Sequence, residues 1–144
     1  MKMTESKELL TSILNTTQMG QVGIRSALDT TMRPALRKAL QSQLKEYDAI
    51  EREAIAIATS RGWDLRDVEP AVKGMAKLMT KARLSYGNTD SKLAAMMIQG
   101  NTRGMILGLK DLHQFNRKDP QVTTLSQKLL DCETANIRQM QGFL

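Results

Sequence analysis

The stretch RPALRKALQSQLKEYDAIEREAIAIATSRG, residues 33–62, decides the fold. Its apolar and uncharged positions recur at alternating steps of four and three residues, which places them on one stripe of an α-helix. These positions are Leu36, Leu40, Gln43, Tyr47, Ile50, Ala54 and Ile57. Thr30 and Thr31 are candidate N-caps. Pro34 suits a first helical turn and Gly62 suits a helix end, so the sequence predicts a helix over 33–61.

Length and composition favour a single helical domain over residues 1–144. The chain is 41% hydrophobic and 25% charged, the ordinary balance of a globular protein. Aromatic residues make up 3% and methionines number ten, so Leu, Ile, Met and Ala must form the core, which suits helix packing. Cys132 is the one cysteine, which excludes an intrachain disulfide. Since no targeting pattern or membrane-spanning apolar run occurs, we expect a cytoplasmic protein.

The rest of the chain divides into three further long helices and one shorter helix. Apolar residues at helical spacing predict the other long helices over residues 6–30, 91–115 and 120–140. The shorter helix is predicted over residues 70–86, in the link between the second and third long helices. The short joint at residues 29–33 makes the first two helices a hairpin. Two hairpins joined by one long crossover form a ferritin-like, up-down-down-up four-helix bundle.

Five glycines fall inside the first and third long helices, where each costs about 1 kcal/mol relative to alanine. They recur at steps of three or four residues: Gly20 and Gly23 in the first helix, and Gly100, Gly104 and Gly108 in the third. One interpretation is that these two helices approach each other closely along the glycines. The alternative is a homodimer contact along the glycine strip of the third helix.

Five polar residues fall on the predicted apolar stripes: Thr17, Gln21, Gln43, Asn101 and Asn136. Buried amides need hydrogen-bond partners, because an unsatisfied one costs about 1–3 kcal/mol. One interpretation is a shared buried polar layer that fixes the register of the helices. The other is that several of these side chains lie at the edge of a stripe and face solvent.

The chain resembles the bacterial spore coat F type of ferritin-like protein and related small ferritin-like domains. The resemblance rests on the long second helix, on its end in Arg61-Gly62-Trp63, on Pro70, and on the crossover before a second hairpin. It covers most of the chain, although its local motif is short. The resemblance implies a four-helix ferritin-like bundle and an association with a spore coat.

The metal ligands of such bundles are missing from this sequence. A di-iron or di-manganese centre takes a Glu from each of two helices and a Glu-x-x-His pair from each of the other two. The only histidine is His113, and Lys110 stands three residues before it. We therefore expect no di-metal centre, no cofactor and no catalytic residue. A metal-dependent redox protein with an atypical carboxylate site is the alternative.

The net charge of +6 permits an anionic partner. Lys73, Lys77 and Lys81 share one face of the predicted 70–86 helix, which suits either a solvated surface or contact with an anionic surface. Few aromatic residues are present to stack on bases, which disfavours nucleic acid. The expected role is structural or protein-binding, through a protein partner or through self-association.

Overall fold

The protein is described by a computed structural model that covers residues 3–65, 89–115 and 119–144. Within these ranges it forms four long helices and no strand: α1 Met3–Leu28, α2 Pro34–Ser60, α3 Asp90–Phe115 and α4 Pro120–Gln141. The predicted all-α class is confirmed. The helix predicted over 70–86, with Lys73, Lys77 and Lys81, lies outside the described residues. None of the described helices combines the length and hydropathy needed to cross a membrane.

The start of α2 is held by a residue from another helix. Thr30 does not cap α2, because its hydroxyl donates to the carbonyl of Ala27 at 2.6 Å and so satisfies the end of α1. Arg33 occupies the N-cap position without a side-chain cap bond. Its Nε and backbone N–H donate instead to the Asp90 carboxylate, at 2.6 and 3.4 Å. The first residue of α3 therefore fixes the first turn of α2.

The end of α2 depends on Gly62, as the sequence predicts. Gly62 has a φ of +67°, a left-handed conformation that glycine adopts without strain. Its N–H donates to the carbonyl of Thr59 at 3.2 Å, and the N–H of Trp63 donates to that of Ala58 at 2.9 Å. These two bonds form a Schellman motif, which satisfies carbonyls at the helix end.

Arg61 joins the end of α2 to the start of α4. Its guanidinium contacts both carboxylate oxygens of Asp119, at 2.5 and 2.9 Å. The hydrogen bonds from Arg61 lower the pKa of the Asp119 carboxyl to about 2. The guanidinium also lies over the Trp63 ring, 4.9 Å from its centroid. This junction fixes how the two helices meet at one end of the bundle.

An aliphatic core joins all four helices. α1 packs against α2, α3 and α4, and α4 also packs against α2 and α3. The fully buried members include Leu9 and Leu10 of α1, Leu36 and Leu40 of α2, Leu93 of α3, and Val122 and Met140 of α4. All seven residues of the predicted α2 stripe are buried. Tyr47 is a fully buried member of that stripe, and its hydroxyl brings a polar group into the middle of the bundle.

Candidate functional site

Four polar side chains meet in the middle of the bundle, and we call them the central cluster: Tyr47, Asn101, Glu133 and Asn136. The Tyr47 hydroxyl donates to Asn101 Oδ1 at 2.9 Å, and Asn136 Nδ2 donates to the same oxygen at 3.2 Å. Asn101 Nδ2 donates to the carbonyl of Met97 at 2.8 Å. The cluster thus links α2, α3 and α4 through hydrogen bonds that are shielded from water.

Glu133 is the acid of the central cluster and is only 3% exposed. Burial raises the pKa of its carboxyl to about 8, so the group is mostly uncharged at neutral pH. Its Oε2 lies 3.4 Å from the Tyr47 hydroxyl. The Tyr47 hydroxyl lies closer to Asn101 Oδ1, at 2.9 Å, so its contact with Glu133 is the weaker of the two. Oε1 is buried and has no hydrogen-bond partner among the described residues.

Three glycines make room for large side chains around the cluster. A Cβ at Gly20 would lie 2.6 Å from Cζ of Tyr47, and a Cβ at Gly104 would overlap the carboxylate of Glu133. A Cβ at Gly108 would lie 3.3 Å from Cγ of Leu130. The side chains that a Cβ at Gly104 or Gly108 would meet belong to α4. The expected close approach of α1 and α3 along the glycines stays a prediction. The homodimer interpretation of the strip also stays a prediction.

A cavity of about 60 Å³ lies beside the central cluster, between α1 and α3. Its buried end is formed by Tyr47, Asn101 and Glu133, and glycines of both helices, Gly20, Gly23, Gly100 and Gly104, line it. Methionines supply much of its apolar wall: Met19, Met96 and Met97. Gly100, Arg103 and Leu107 line the cavity and are exposed, so they mark its opening. A Cβ at Gly100 would meet no atom within 4 Å.

The five polar residues predicted on the stripes are all buried in the structure: Thr17, Gln21, Gln43, Asn101 and Asn136. Only Asn101 and Asn136 bond to each other. Both belong to the central cluster, which also contains two residues that the pattern did not single out as polar sites. Burial of all five therefore does not produce one shared layer.

The other three polar residues bond elsewhere. The Thr17 hydroxyl donates to a carbonyl of its own helix, at residue Ile13, 2.7 Å away. Gln21 Nε2 donates to the Asp48 carboxylate at 2.8 Å. Gln43 Nε2 donates to the side-chain oxygen of Gln139 at 2.9 Å. These bonds pair α1 with α2 and α2 with α4 away from the cluster.

Glu133 is the site residue that the sequence reasoning missed. It falls on the stripe of α4 at the steps Leu129, Glu133, Asn136, Met140, which alternate four, three and four. Helical spacing from Leu129 and Asn136 also fits the neighbouring Cys132, and cysteine is more often buried than glutamate. The signal in the sequence is an acidic residue at a position of the apolar stripe of α4. It became meaningful only together with the two amides and the tyrosine that the fold brings to it.

Cys132 is not an activated nucleophile. Its thiol is buried, and Sγ lies 3.3 Å from Oε2 of Glu46, to which it donates. Burial and this hydrogen bond raise the pKa of the thiol to about 12. The thiol is therefore protonated at neutral pH, whereas a reactive cysteine needs a lowered pKa. His113 is exposed on the outer surface of α3 and lies outside the central cluster.

The donor set of the central cluster does not fit a di-metal centre. Such a centre takes four carboxylates and two imidazoles. The cluster offers one carboxyl, one phenol and two amides, and burial keeps the carboxyl protonated. Across residues 3–65, 89–115 and 119–144, no group of three or more His, Cys, Asp or Glu side chains is arranged to hold a metal ion.

The cluster and its cavity therefore combine a buried neutral acid, a phenol, two amides and a methionine-rich wall. This chemistry suits hydrogen bonding to a bound group better than nucleophilic attack or metal chemistry. Known proteins add no further guide, since comparison of the chain with family models, with curated proteins and with solved structures gives no match.

Proposed function

We propose that this protein is a non-catalytic, ferritin-like helical bundle that acts by binding a protein partner. The up-down-down-up arrangement is supported by bonds between helices in which residue numbers run in opposite directions. The pairs are Gln18 with Glu51 and Gln21 with Asp48 between α1 and α2, Gln43 with Gln139 and Glu53 with Lys128 between α2 and α4, and Asn101 with Asn136 and Met105 with Thr134 between α3 and α4. A coat-related setting is proposed on the resemblance around Arg61-Gly62-Trp63 alone.

The observation that carries the proposal is an apolar groove on the outer surface of α3. Three large apolar side chains of this helix, Ile106, Leu107 and Leu109, are 48%, 40% and 54% exposed. They account for three of the five exposed large hydrophobic residues in the described ranges. The groove is lined by Ile98, Thr102, Arg103, Ile106, Leu107 and Lys110, among others. Apolar surface concentrated on one helix marks a contact site.

The charges around the α3 groove favour an acidic partner helix. Arg103 and Lys110 line the groove, and no carboxylate does. A second copy of the chain fits poorly, because a two-fold contact pairs equivalent surfaces. Antiparallel pairing of two α3 helices about Ile106 and Leu107 sets Arg103 opposite Lys110, and parallel pairing sets each of them opposite itself. An amphipathic helix with an apolar stripe and acidic flanks complements both the groove and its charges.

Two synthetic helical peptides with the same apolar stripe test this proposal. One carries glutamates along both edges of the stripe and the other carries lysines. Binding is measured by fluorescence anisotropy at low and at high salt. We expect the glutamate peptide to bind about tenfold more tightly, a difference of about 1.4 kcal/mol, and to weaken at high salt. Equal affinity for the two peptides would contradict the proposal.

A matched pair of variants locates the contact. Ile106 in the α3 groove and Ile55 on α2 are the same residue type and are both 48% exposed. Ile106→Gln should weaken binding of the glutamate peptide by about tenfold, whereas Ile55→Gln should leave it unchanged. Sedimentation analysis shows whether a second copy occupies the groove instead. A dimer that Ile106→Gln dissociates and Ile55→Gln preserves would overturn the acidic partner.

A further inference from the structure

Binding of a partner at the α3 groove gives no role to the cavity between α1 and α3. Its volume of about 60 Å³ remains although two of the glycines that line it, Gly20 and Gly104, lie against large side chains. Gly23 and Gly100 also line this space, and a Cβ at Gly100 would meet no atom within 4 Å. At its buried end, Glu133 is 3% exposed, and its Oε1 has no hydrogen-bond partner within the described ranges. An unsatisfied acceptor beside an open space is the arrangement of a ligand site.

We propose that this cavity binds a small neutral alcohol, or the hydroxyl end of a longer amphiphile, whose hydroxyl group donates to Oε1 of Glu133. The carbon chain of the ligand lies along Met19, Met96 and Met97 toward the opening at Gly100. This binding role differs from that of the α3 groove, which adjoins the opening of the cavity at Arg103 and Leu107.

The hydrogen bonds of the central cluster determine that the ligand is a donor. The Tyr47 hydroxyl has one proton, which is directed to Asn101 Oδ1 at 2.9 Å, and its contact with Glu133 Oε2 at 3.4 Å is the weaker of the two. The Nδ2 group of Asn101 bonds to the Met97 carbonyl, and that of Asn136 bonds to Asn101. Oε1 of Glu133 is the buried oxygen of the cluster that has no partner within the described ranges, and a carboxyl oxygen can accept a hydrogen bond.

The charges around the cavity determine that the donor is neutral. Glu133 is mostly uncharged at neutral pH, so it provides no counter-charge for an ammonium group. Arg103 lines the opening and would repel a cation. A carboxylate is also disfavoured at the buried end, because it would bring a second acceptor against Oε1 and would lose its hydration. A hydroxyl group is both a hydrogen-bond donor and uncharged.

The walls and size of the cavity determine the rest of the ligand. Methionine side chains are flexible and polarisable, so they adapt to carbon chains of different shape. An engineered cavity of about 150 Å³ holds benzene, so the enclosed space here accommodates only a few non-hydrogen atoms. Since Gly100, Arg103 and Leu107 at the opening are exposed, a longer chain can continue out of the cavity.

Four probes of similar size test the proposal: 1-butanol, methyl propyl ether, butylammonium and butyrate. The protein carries ¹³C-methyl methionine, and the methyl signals of Met19, Met96 and Met97 are followed by NMR. Met140 is buried but does not line the cavity, and its signal serves as the internal control. We expect 1-butanol to shift the three cavity signals with a dissociation constant on the order of 1 mM, given its five non-hydrogen atoms. The ether should bind about tenfold more weakly because it cannot donate.

Three variants separate the cavity from the hydrogen bond. Gly100→Leu fills the opening without a clash at Cβ and should abolish the shifts, whereas Gln114→Leu adds a leucine to an exposed position of α3 and should not. Glu133→Leu removes the acceptor and should abolish the preference for the alcohol over the ether. A preserved Met140 signal shows that each variant is folded.

Three outcomes would overturn the assignment. Equal binding of alcohol and ether to the unaltered protein would show that Glu133 plays no part. Tighter binding of butyrate or butylammonium than of 1-butanol would show a charged ligand class. Absence of any shift of the cavity methionines up to about 100 mM alcohol would show that the cavity binds no such ligand.

Discussion

The two sides of this bundle are built differently. Where α2 meets α4, the helices are fastened by paired charges, and Arg61 holds both oxygens of Asp119. Where α1 meets α3, a cavity lies between the two helices and is lined by glycines of both. Gly104 makes room for a side chain of the protein itself, whereas Gly100, one turn earlier, faces open space. The same residue type therefore contributes to a packed core at one position and to an open site at the next.

The largest expected effect concerns Glu133, at the boundary between the two sides. The folded state holds a proton up to about pH 8, whereas the unfolded carboxyl releases it near 4.5. Stability is therefore highest below about pH 4.5 and falls as the pH rises toward 8. One pKa unit is worth about 1.4 kcal/mol, so we expect a loss of about 3 kcal/mol between about pH 5 and 8.

Urea unfolding of the wild type and of Glu133→Gln across this pH range measures the effect. The amide does not titrate, so the difference in free energy of unfolding between the two proteins should grow with pH. Glu53→Gln, at an exposed acid on α2, is the control and should leave the slope unchanged. Parallel curves for wild type and Glu133→Gln would show that Glu133 is charged in the folded state.

The second-largest expected effect is on stability, and it compares leucine substitutions at Gly20 and Gly100. Gly20→Leu places its Cβ within 2.6 Å of the buried Tyr47 ring, so we expect a loss of about 2 kcal/mol from overpacking. Gly100→Leu adds the same side chain where a Cβ meets no atom within 4 Å, and it also removes the cost of a helical glycine. It should leave the free energy of unfolding unchanged or raise it. Both free energies of unfolding are measured by urea denaturation. Similar losses in the two variants would mean that side chains of the protein fill the cavity.

The smallest expected effect concerns the ion pair between Arg61 and Asp119, where α2 meets α4. The pKa of Asp119 is lowered to about 2, below the ordinary value near 4. The stabilisation from its pair with Arg61 is therefore present above about pH 4 and is lost as the pH falls toward 2. We expect Asp119→Asn to cost about 1 kcal/mol at neutral pH, because the pair is partly exposed and water screens it. Thermal unfolding at pH 7 and at pH 2.5 measures it, and the difference should shrink at the lower pH.

The features that the sequence predicts well are those set by nearby residues. The α2 stripe follows from the spacing of its own residues, and the end of α2 follows from the freedom of Gly62 to adopt a positive φ. The predicted N-caps of α2, Thr30 and Thr31, were wrong. Arg33 takes that position, and the carboxylate that it contacts belongs to Asp90, 57 positions further along the chain. No local pattern contains that information.

The central cluster shows the same limit. The sequence marks Asn101 and Asn136 as polar residues on apolar stripes, but it does not reveal that Tyr47 brings its hydroxyl to them. Glu133 lies on the stripe of α4, but its spacing alone does not show that the fold buries it beside Tyr47. Gly100 and Gly104 look equivalent in the sequence, since what a Cβ would meet depends on the side chains of α4.

The contact between Asp90 and Arg33 has a consequence for the order in which the chain acquires structure. During synthesis α1 and α2 are complete long before Asp90 emerges, so the first turn of α2 lacks its carboxylate until α3 docks. The amide proton of Arg33 should then exchange with solvent more readily in the early chain than in the finished protein. The N-cap residue of α2 thus gains its partner only from the second half of the chain.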